Sequence, residues 1–492
     1  MSPLPSGQHS DAIESQLVCS SCVGEKHLQH EMEITGADAT CHYCGEPGKC
    51  WTVEQLTDRV DKAFEQHYEQ TAANPEGVEA TMANDPESSY EWERSGQQSA
   101  DAIAEAAGVS EEIAEDVREV LSDRHFDRSS AEVGDEQAFD ADTHYAKKEI
   151  TGAPYQEDWN QFERTVREES RYFAPVVRST LDRIFDGVAG HKTISGHTVV
   201  ADAGPSTKID HLFRARVFQS ERAVLEAIER PDLRLGPPPP NRATAGRMNP
   251  AGISVFYGAR STKVATAEVR PPVGSRVVSG KFEITRSLKL LNLDALVDVY
   301  VKGSIFDPNH AGRMERAAFL GTLGFLLCRA VMPEEETSGY LVTQVVADYL
   351  ANVVKLDGVI FRSVQTGTKS ANVVLFHHAS RVEKLDLPEG SKISAVGGMM
   401  GPDEDDADYY VGEEVPEIVP PKREGHGVKI SGMGVFEFWG SSEPVDPRPV
   451  TLRLETKSVQ VTHIAKVEYS GRSFEVHRYR TTKPAAGEKP PF

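Results

Sequence analysis

The spacing of apolar and polar positions changes character several times along this chain. From residue 51 to about 188 the apolar residues recur every three or four positions. Val53, Leu56, Val60 and Phe64 follow Thr52, which with Gln55 forms a capping box, so a helix is predicted to start there. Ser110 is placed to cap a second helix with Ile113, Val117, Val120 and Leu121 on one face. A third is predicted from about Asp158, presenting Phe162, Val166 and Phe173. A fourth starts at Pro175, a residue tolerated in a first turn, and presents Val177, Leu181 and Ile184. Residues 74–98 and 127–145 are acidic, rich in small residues, and read as loops.

Between residues 197 and 390 the pattern alternates between strand and helix periods. Leu212–Arg216, Ser254–Ala259, Asp357–Phe361 and Ala371–Phe376 read as strands, and Pro237–Pro240 as a stiff exposed loop. Residues 391–427 are rich in Gly, Asp, Glu and Pro, with Pro402-Asp403-Glu404-Asp405-Asp406 at their centre, and read as a mobile linker. Beyond it strands are predicted at Gly434–Trp439, Thr451–Glu455, Val459–Tyr469 and Phe474–Tyr479. The expected architecture is multidomain α+β: a small knuckle over 1–50, a helical domain over 51–190, a mixed α+β domain over 197–390, a linker over 391–427 and a β-rich extension over 428–492, whose strands either complete the mixed domain or stand apart from it, the linker slightly favouring the second. No repeat of solenoid length is present.

Composition narrows the function. Of 492 residues, 53 are Lys or Arg and 76 Asp or Glu, a formal charge of −23. Such a surface repels phosphate backbones, so general nucleic-acid binding is disfavoured, although a local basic pocket could hold a small anion. No apolar run approaches the roughly 20 residues of a membrane span. Met1–Ser6 lacks the charged and apolar regions of a secretory signal, so a cytoplasmic protein is expected.

Five of the six cysteines fall in the first 50 residues. Cys19, Cys22, Cys41 and Cys44 form C-x2-C-x18-C-x2-C, the spacing of a closed four-thiolate zinc site. Four thiolates leave no open coordination position, so a structural zinc is expected. A segment this short has too small a core of its own, and metal binding would supply its folding energy, on the order of 10–16 kcal/mol in comparable peptides.

Candidate chemistry concentrates in the α+β region. In a strand, Arg214 and Arg216 share one face, and paired guanidinium forks suit a pyrophosphate. Arg247 sits in a turn shaped by Gly246, Asn249, Pro250 and Gly252, within reach of the same anion. Ser261 or Thr262 caps a short helix in which Glu268 follows Val264 by four and Ala265 by three. A carboxylate on that apolar face must be paired or functional. Ser363 follows the strand Asp357–Phe361 and is expected to project into a cleft. No nucleophile elbow or Ser-His-Asp set accompanies it.

Arg214, the Gly246–Gly252 turn, Tyr257, Glu268 and Ser363, in this order and approximate spacing, resemble the RES domain, a family named for its arginine, glutamate and serine. The resemblance covers about residues 200–390. It implies a fold similar to mono-ADP-ribosyltransferase toxins and an enzyme that destroys NAD, its substrate, by breaking the nicotinamide–ribose bond. Arg214 and Arg247 would hold the phosphates, Tyr257 would stack on nicotinamide, Glu268 would be the catalytic carboxylate, and Ser363 would hydrogen-bond the nicotinamide end. The spacing leaves open whether Arg214 or Arg216 is the motif arginine, and whether water, phosphate or a protein takes the ribose. The family also implies an antitoxin or trigger protein as partner, with the N-terminal modules as sensor or homo-oligomeriser. Its longer members have a HEPN-like N-terminal region, and HEPN ribonucleases use R-x4–6-H; Arg118 and His125 meet that spacing with six residues between them. A protein ADP-ribosyltransferase, a HEPN-type ribonuclease and a non-enzymatic zinc adaptor are the alternatives.

Overall fold

The computed structural model describes residues 12–480 apart from 86, 172, 330, 364, 367–370, 401–406, 417–445 and 469. Among the described residues, no helix is long and apolar enough to cross a membrane.

The N-terminal cysteines do not stand apart. Strands Leu17–Cys19, Ala37–Thr40 and Pro47–Thr52 form an antiparallel sheet, with the helix Lys26–Thr35 between its first two strands in sequence. Val18, Val23, Leu28, Met32 and Trp51 from this segment share one buried cluster with Val53, Leu56, Val60 and Phe64 of helix α1 (Val53–His67) and with Ile113, Val117 and Leu121 of helix α2 (Glu111–Arg124). The expected knuckle over 1–50 is therefore one face of a larger unit, because its apolar residues have helices to bury against. The local signals at the helix starts hold. Thr52 and Gln55 form the reciprocal capping box, and the Ser110 hydroxyl accepts from the Ile113 amide.

The stretches expected as acidic loops contain helices Gly77–Ala83 and Arg128–Val133. They also contribute to a small sheet of Tyr68–Gln70, His144–Lys147 and Gln97–Gln98. Aromatic residues explain the order: Phe139 stacks on Tyr145 at 4.8 Å, and Tyr145 meets the ring edge of Phe64 at 5.3 Å. An Arg94–Glu136 ion pair at 2.7 Å joins the two stretches.

Helices α3 (Ala153–Arg164) and α4 (Pro175–Phe185) were expected to belong with α1 and α2. They pack instead against α6 (His310–Cys328), α7 (Leu341–Asn352) and one face of the large sheet. Trp159, Phe162, Leu181 and Ile184 join Phe319, Leu323, Val346 and Leu350 in one cluster. The packing boundary thus falls between Lys147 and Ala153 rather than at 190. Phe173 does not join that face and is 94% exposed. A wide turn over Thr165–Glu169, with i→i+5 bonding, breaks the 3.6-residue register before it.

The large sheet has eight strands: β1 Val200–Ala203, β2 His211–Phe218, β3 Phe256–Ala259, β4 Arg276–Ile284, β5 Leu288–Asn292, β6 Gly358–Arg362, β7 Ala371–Leu375 and β8 Leu452–His463. Their order is β8-β4-β2-β3-β7-β6-β5-β1, and β5–β6 is the parallel pairing. Both faces are covered. Leu291, Val359 and Val374 meet the helices α3, α4, α6 and α7, while Leu290, Ile360 and Val373 turn to a second core with Phe256, Phe282 and the helix Glu221–Glu229.

β8 corrects the expectation of a separate C-terminal extension. It pairs with β4 from Ile284–Leu452 to Arg276–His463 and buries Leu452 and Leu454 in the second core. The segment expected as linker contains a hairpin of Lys392–Met400 and Ala407–Glu414, whose Ala395 amide donates to Glu229 at 3.0 Å. Pro402–Asp406 and Gly434–Trp439 lie outside the described residues. Phe474–Tyr479 forms no strand; Phe474, Val476 and Tyr479 are exposed, since an alternating pattern without a neighbouring strand gains no ladder.

Candidate active site and cysteine cluster

β2 and β3 pair at a single register position, Phe213 with Ala259, and then part. A cavity of about 560 Å³ opens there, lined by β2 and β3, by helix α5 (Thr262–Glu268), by the turn at Gly246 and by Cys328, Val331 and Tyr340 beyond it. Ser261 caps α5, accepting from the Val264 amide, and Val264 and Ala265 anchor the helix on Ala215, Ala259 and Val277. The helix ends at Glu268.

Glu268 is exposed rather than buried with Val264 and Ala265, because it is the last helical residue and turns to the cavity. Its Oε1 is nevertheless held twice: Ser363 Oγ donates to it at 2.7 Å and Asn372 Nδ2 at 2.8 Å. Ser363 is 1% exposed and does not line the cavity, so the hydroxyl expected to project into a cleft is spent on fixing the carboxylate. Asn372, 5% exposed on β7, does line it. Sequence reasoning missed Asn372. The signal was present: one amide in the otherwise apolar strand Ala371–Leu375, where a polar side chain must find partners.

Arg214 lines the cavity with its guanidinium 4.8 Å above the Phe256 ring. Its Nη1 is buried and has no hydrogen-bond partner among the described residues. Burial, then the neighbouring Arg216 charge, works against its cation. A guanidinium stays protonated under such pressure, so a bound anion would relieve the cost. Arg216 lines the same cavity but donates to the Gly236 carbonyl at 2.9 Å. Arg247, expected as a phosphate clamp, lines the cavity while its Nη1 donates to the carbonyls of Leu327 at 3.0 Å and Arg329 at 2.9 Å, with the guanidinium over the Tyr340 ring. Tyr257 presents its ring to the cavity. Its hydroxyl accepts from the Met248 amide at 3.0 Å and donates to Asn249 Oδ1 at 2.9 Å, and burial pushes the phenol up to about 12. Arg270, Arg362 and Gln365, which sequence reasoning did not single out, complete the polar lining.

In the N-terminal unit, the sulfurs of Cys19, Cys22, Cys41 and Cys44 lie within 4.8 Å of one another, with Cys19–Cys22 and Cys19–Cys44 at 3.6 Å and Cys22–Cys41 at 3.8 Å. A tetrahedral zinc with bonds of about 2.3 Å requires sulfur separations of about 3.8 Å, so the donor set fits that ion. Burial opposes the Cys41 thiolate, but amides of Cys44, Cys19 and Tyr43 outweigh it and bring the thiol down to about 7. Cys50, 2% exposed, packs beside the cluster without joining it.

Neither Arg118 nor His125 lines the cavity. Arg118 pairs with Glu115 at 2.8 Å and donates to the Phe139 carbonyl at 2.9 Å; His125, at the C-terminal cap of α2, pairs with Asp61 at 2.7 Å.

These features define an α+β protein with a cationic cavity in a parted sheet. The comparisons with known proteins identify it further. The family model for the RES domain matches residues 216–393, and that for the HEPN/RES N-terminal domain 1 matches residues 35–179. The chain is therefore a RES-domain protein with a HEPN/RES N-terminal domain. The second match crosses the packing boundary at 148–152, and β8 lies beyond the first. No curated protein matches the chain. Among solved structures, a chain of the M. tuberculosis MbcT–MbcA toxin–antitoxin complex is similar at 13% identity, covering 41% of this chain and 84% of that one with a TM-score of 0.21, too slight a likeness to carry weight.

Proposed function

We propose that the cavity binds NAD and cleaves its nicotinamide–ribose bond. The observation that carries this reading is a carboxylate, Glu268, fixed by two donors at the wall of a cavity also lined by Arg214, whose guanidinium holds a buried nitrogen without a partner among the described residues. Arg214 binds the pyrophosphate, with Arg216 beside it. Tyr257 flanks the nicotinamide ring, and Arg247 ties down the turn that carries it. As the C–N bond breaks, nicotinamide leaves with the bonding pair and positive charge develops on the ribose. Glu268 is placed to orient the ribose hydroxyls and to stabilise that charge. Ser363 acts through Glu268 rather than on nicotinamide. Water or phosphate then adds to the ribose carbon.

The test is to incubate the full chain with NAD labelled in the adenylate, with and without phosphate. Free nicotinamide with ADP-ribose identifies water as acceptor, and a phosphorylated ADP-ribose appearing only with phosphate identifies phosphate. Label retained on a polypeptide favours a protein ADP-ribosyltransferase, and intact NAD overturns the proposal. A toxin-like role, restrained by an antitoxin or trigger protein, accords with the RES domain.

The cysteine cluster is proposed to hold one structural zinc. Elemental analysis of the purified chain is expected to give about one zinc per chain, and Cys41→Ser to lose it and lower the thermal midpoint of the N-terminal unit. A metal-free wild-type chain with an unchanged midpoint would contradict this.

A further inference from the structure

Asn372 carries more than its bond to Glu268. A carboxylate only accepts hydrogen bonds, so the 2.8 Å contact fixes which end of the amide faces it: Nδ2 points to Glu268 and Oδ1 points away. That Oδ1 is buried, on a residue 5% exposed that lines the cavity, and has no hydrogen-bond partner among the described residues. A buried carbonyl oxygen without a partner costs about 1–3 kcal/mol, and on a residue that lines a cavity a donor from a ligand would offset that cost. Arg214 Nη1, the other orphaned group lining this cavity, is a donor and calls for an acceptor. The two orphans are complementary in kind to two different parts of one ligand.

We infer that Asn372 is a specificity-determining residue, whose Oδ1 accepts a hydrogen bond from an N–H or O–H group on the part of the ligand that meets Glu268. This rests on the NAD reading above. One amide supplies both atoms, so Oδ1 cannot be far from the carboxylate. With Glu268 at the nicotinamide ribose, the available donors are the nicotinamide carboxamide N–H and the hydroxyls of that ribose. Asn372 thereby links orientation to selection: the amide that holds Glu268 in place also reads whether the correct leaving group or sugar is beside it. Ser363 cannot do this, because it lies off the cavity.

The experiment compares kcat/KM of the full-length wild type and of Asn372→Ala on three substrates. These are NAD, its nicotinic-acid analogue, in which a carboxylate replaces the carboxamide and removes the N–H, and an analogue lacking both the 2′- and 3′-hydroxyls of the nicotinamide ribose. The wild type is expected to favour NAD over one of the two analogues by about 10- to 100-fold. The penalised analogue identifies the donor as amide or hydroxyl. In Asn372→Ala all rates fall, because Glu268 loses a partner, but the preference shrinks to within about threefold. A residue that only positions Glu268 would lower the rates and leave the preference intact, and that result overturns the inference. So does a wild type that turns over both analogues as well as NAD, an outcome that needs no variant to fold. A chain that cleaves NAD without discriminating contradicts the assignment of Asn372 alone. A chain that leaves NAD intact contradicts the reading of the cavity itself.

Discussion

Two of the places where an arginine lies close to a group able to do acid–base or electrostatic chemistry differ in what their polar atoms already have. In the N-terminal unit, Arg118 has Glu115 and the Phe139 carbonyl, and His125 has Asp61. Those contacts satisfy the groups within the protein. In the parted sheet, Arg214 Nη1 and Asn372 Oδ1 are buried without partners, and Glu268 is held by Oε1 at the wall of a cavity. A folded chain tolerates such orphans at a cost of about 1–3 kcal/mol each, which a bound ligand can return. Residue types and spacing alone do not separate a structural ion pair from a site; the inventory of unmet hydrogen bonds does.

The comparison can be broken most forcefully at Glu268. Glu268→Gln keeps the shape and the contacts of Oε1 in large part but removes the charge, and is expected to lower kcat for NAD cleavage by about 10²–10³ with the thermal midpoint little changed. Arg214→Met removes the unpaired buried cation while keeping similar volume. The midpoint should stay level or rise, since a buried charge without a partner is destabilising, while ADP-ribose binding by calorimetry weakens roughly 10- to 100-fold. Loss of both stability and binding would mean that Arg214 is structural. Ser363→Ala deletes one of two donors to Glu268 and should lower kcat about tenfold with KM nearly constant, as expected of a positioning residue. Arg118→Ala and His125→Ala lie at the small end. Each should leave NAD cleavage unchanged and cost about 1 kcal/mol or less in denaturant melts, because both pairs are partly exposed. A ribonuclease activity lost in His125→Ala would reverse the comparison.

What could be read from the chain was local. The caps at Thr52, Ser110 and Ser261 and the two C-x-x-C pairs of the sulfur set rest on spacings of a few residues, where backbone geometry dictates the outcome. What escaped was set by distant partners. The apolar faces of α3 and α4 fit the N-terminal helices as well as they fit α6 and α7, and only assembly chose between them. β8 joins β4 across more than 160 residues, and β2 parts from β3 in a way no periodicity encodes. The same holds within the site. Glu268 was identifiable as a carboxylate needing a role, but that Ser363 and Asn372 converge on one of its oxygens follows from the β6–β7 pairing that brings residues 95 and 104 positions away to it. Arg247 shows the converse: its type suited an anion, and the ends of two helices claimed part of it first.

The most direct test of the central claim is nicotinamide release from NAD, measured side by side on the full-length wild type, Glu268→Gln and His125→Ala. Release by the wild type and by His125→Ala, with Glu268→Gln reduced by at least about 10²-fold, is the predicted result. Release that survives in Glu268→Gln, or that disappears in His125→Ala, would contradict the assignment of the chemistry to the parted sheet.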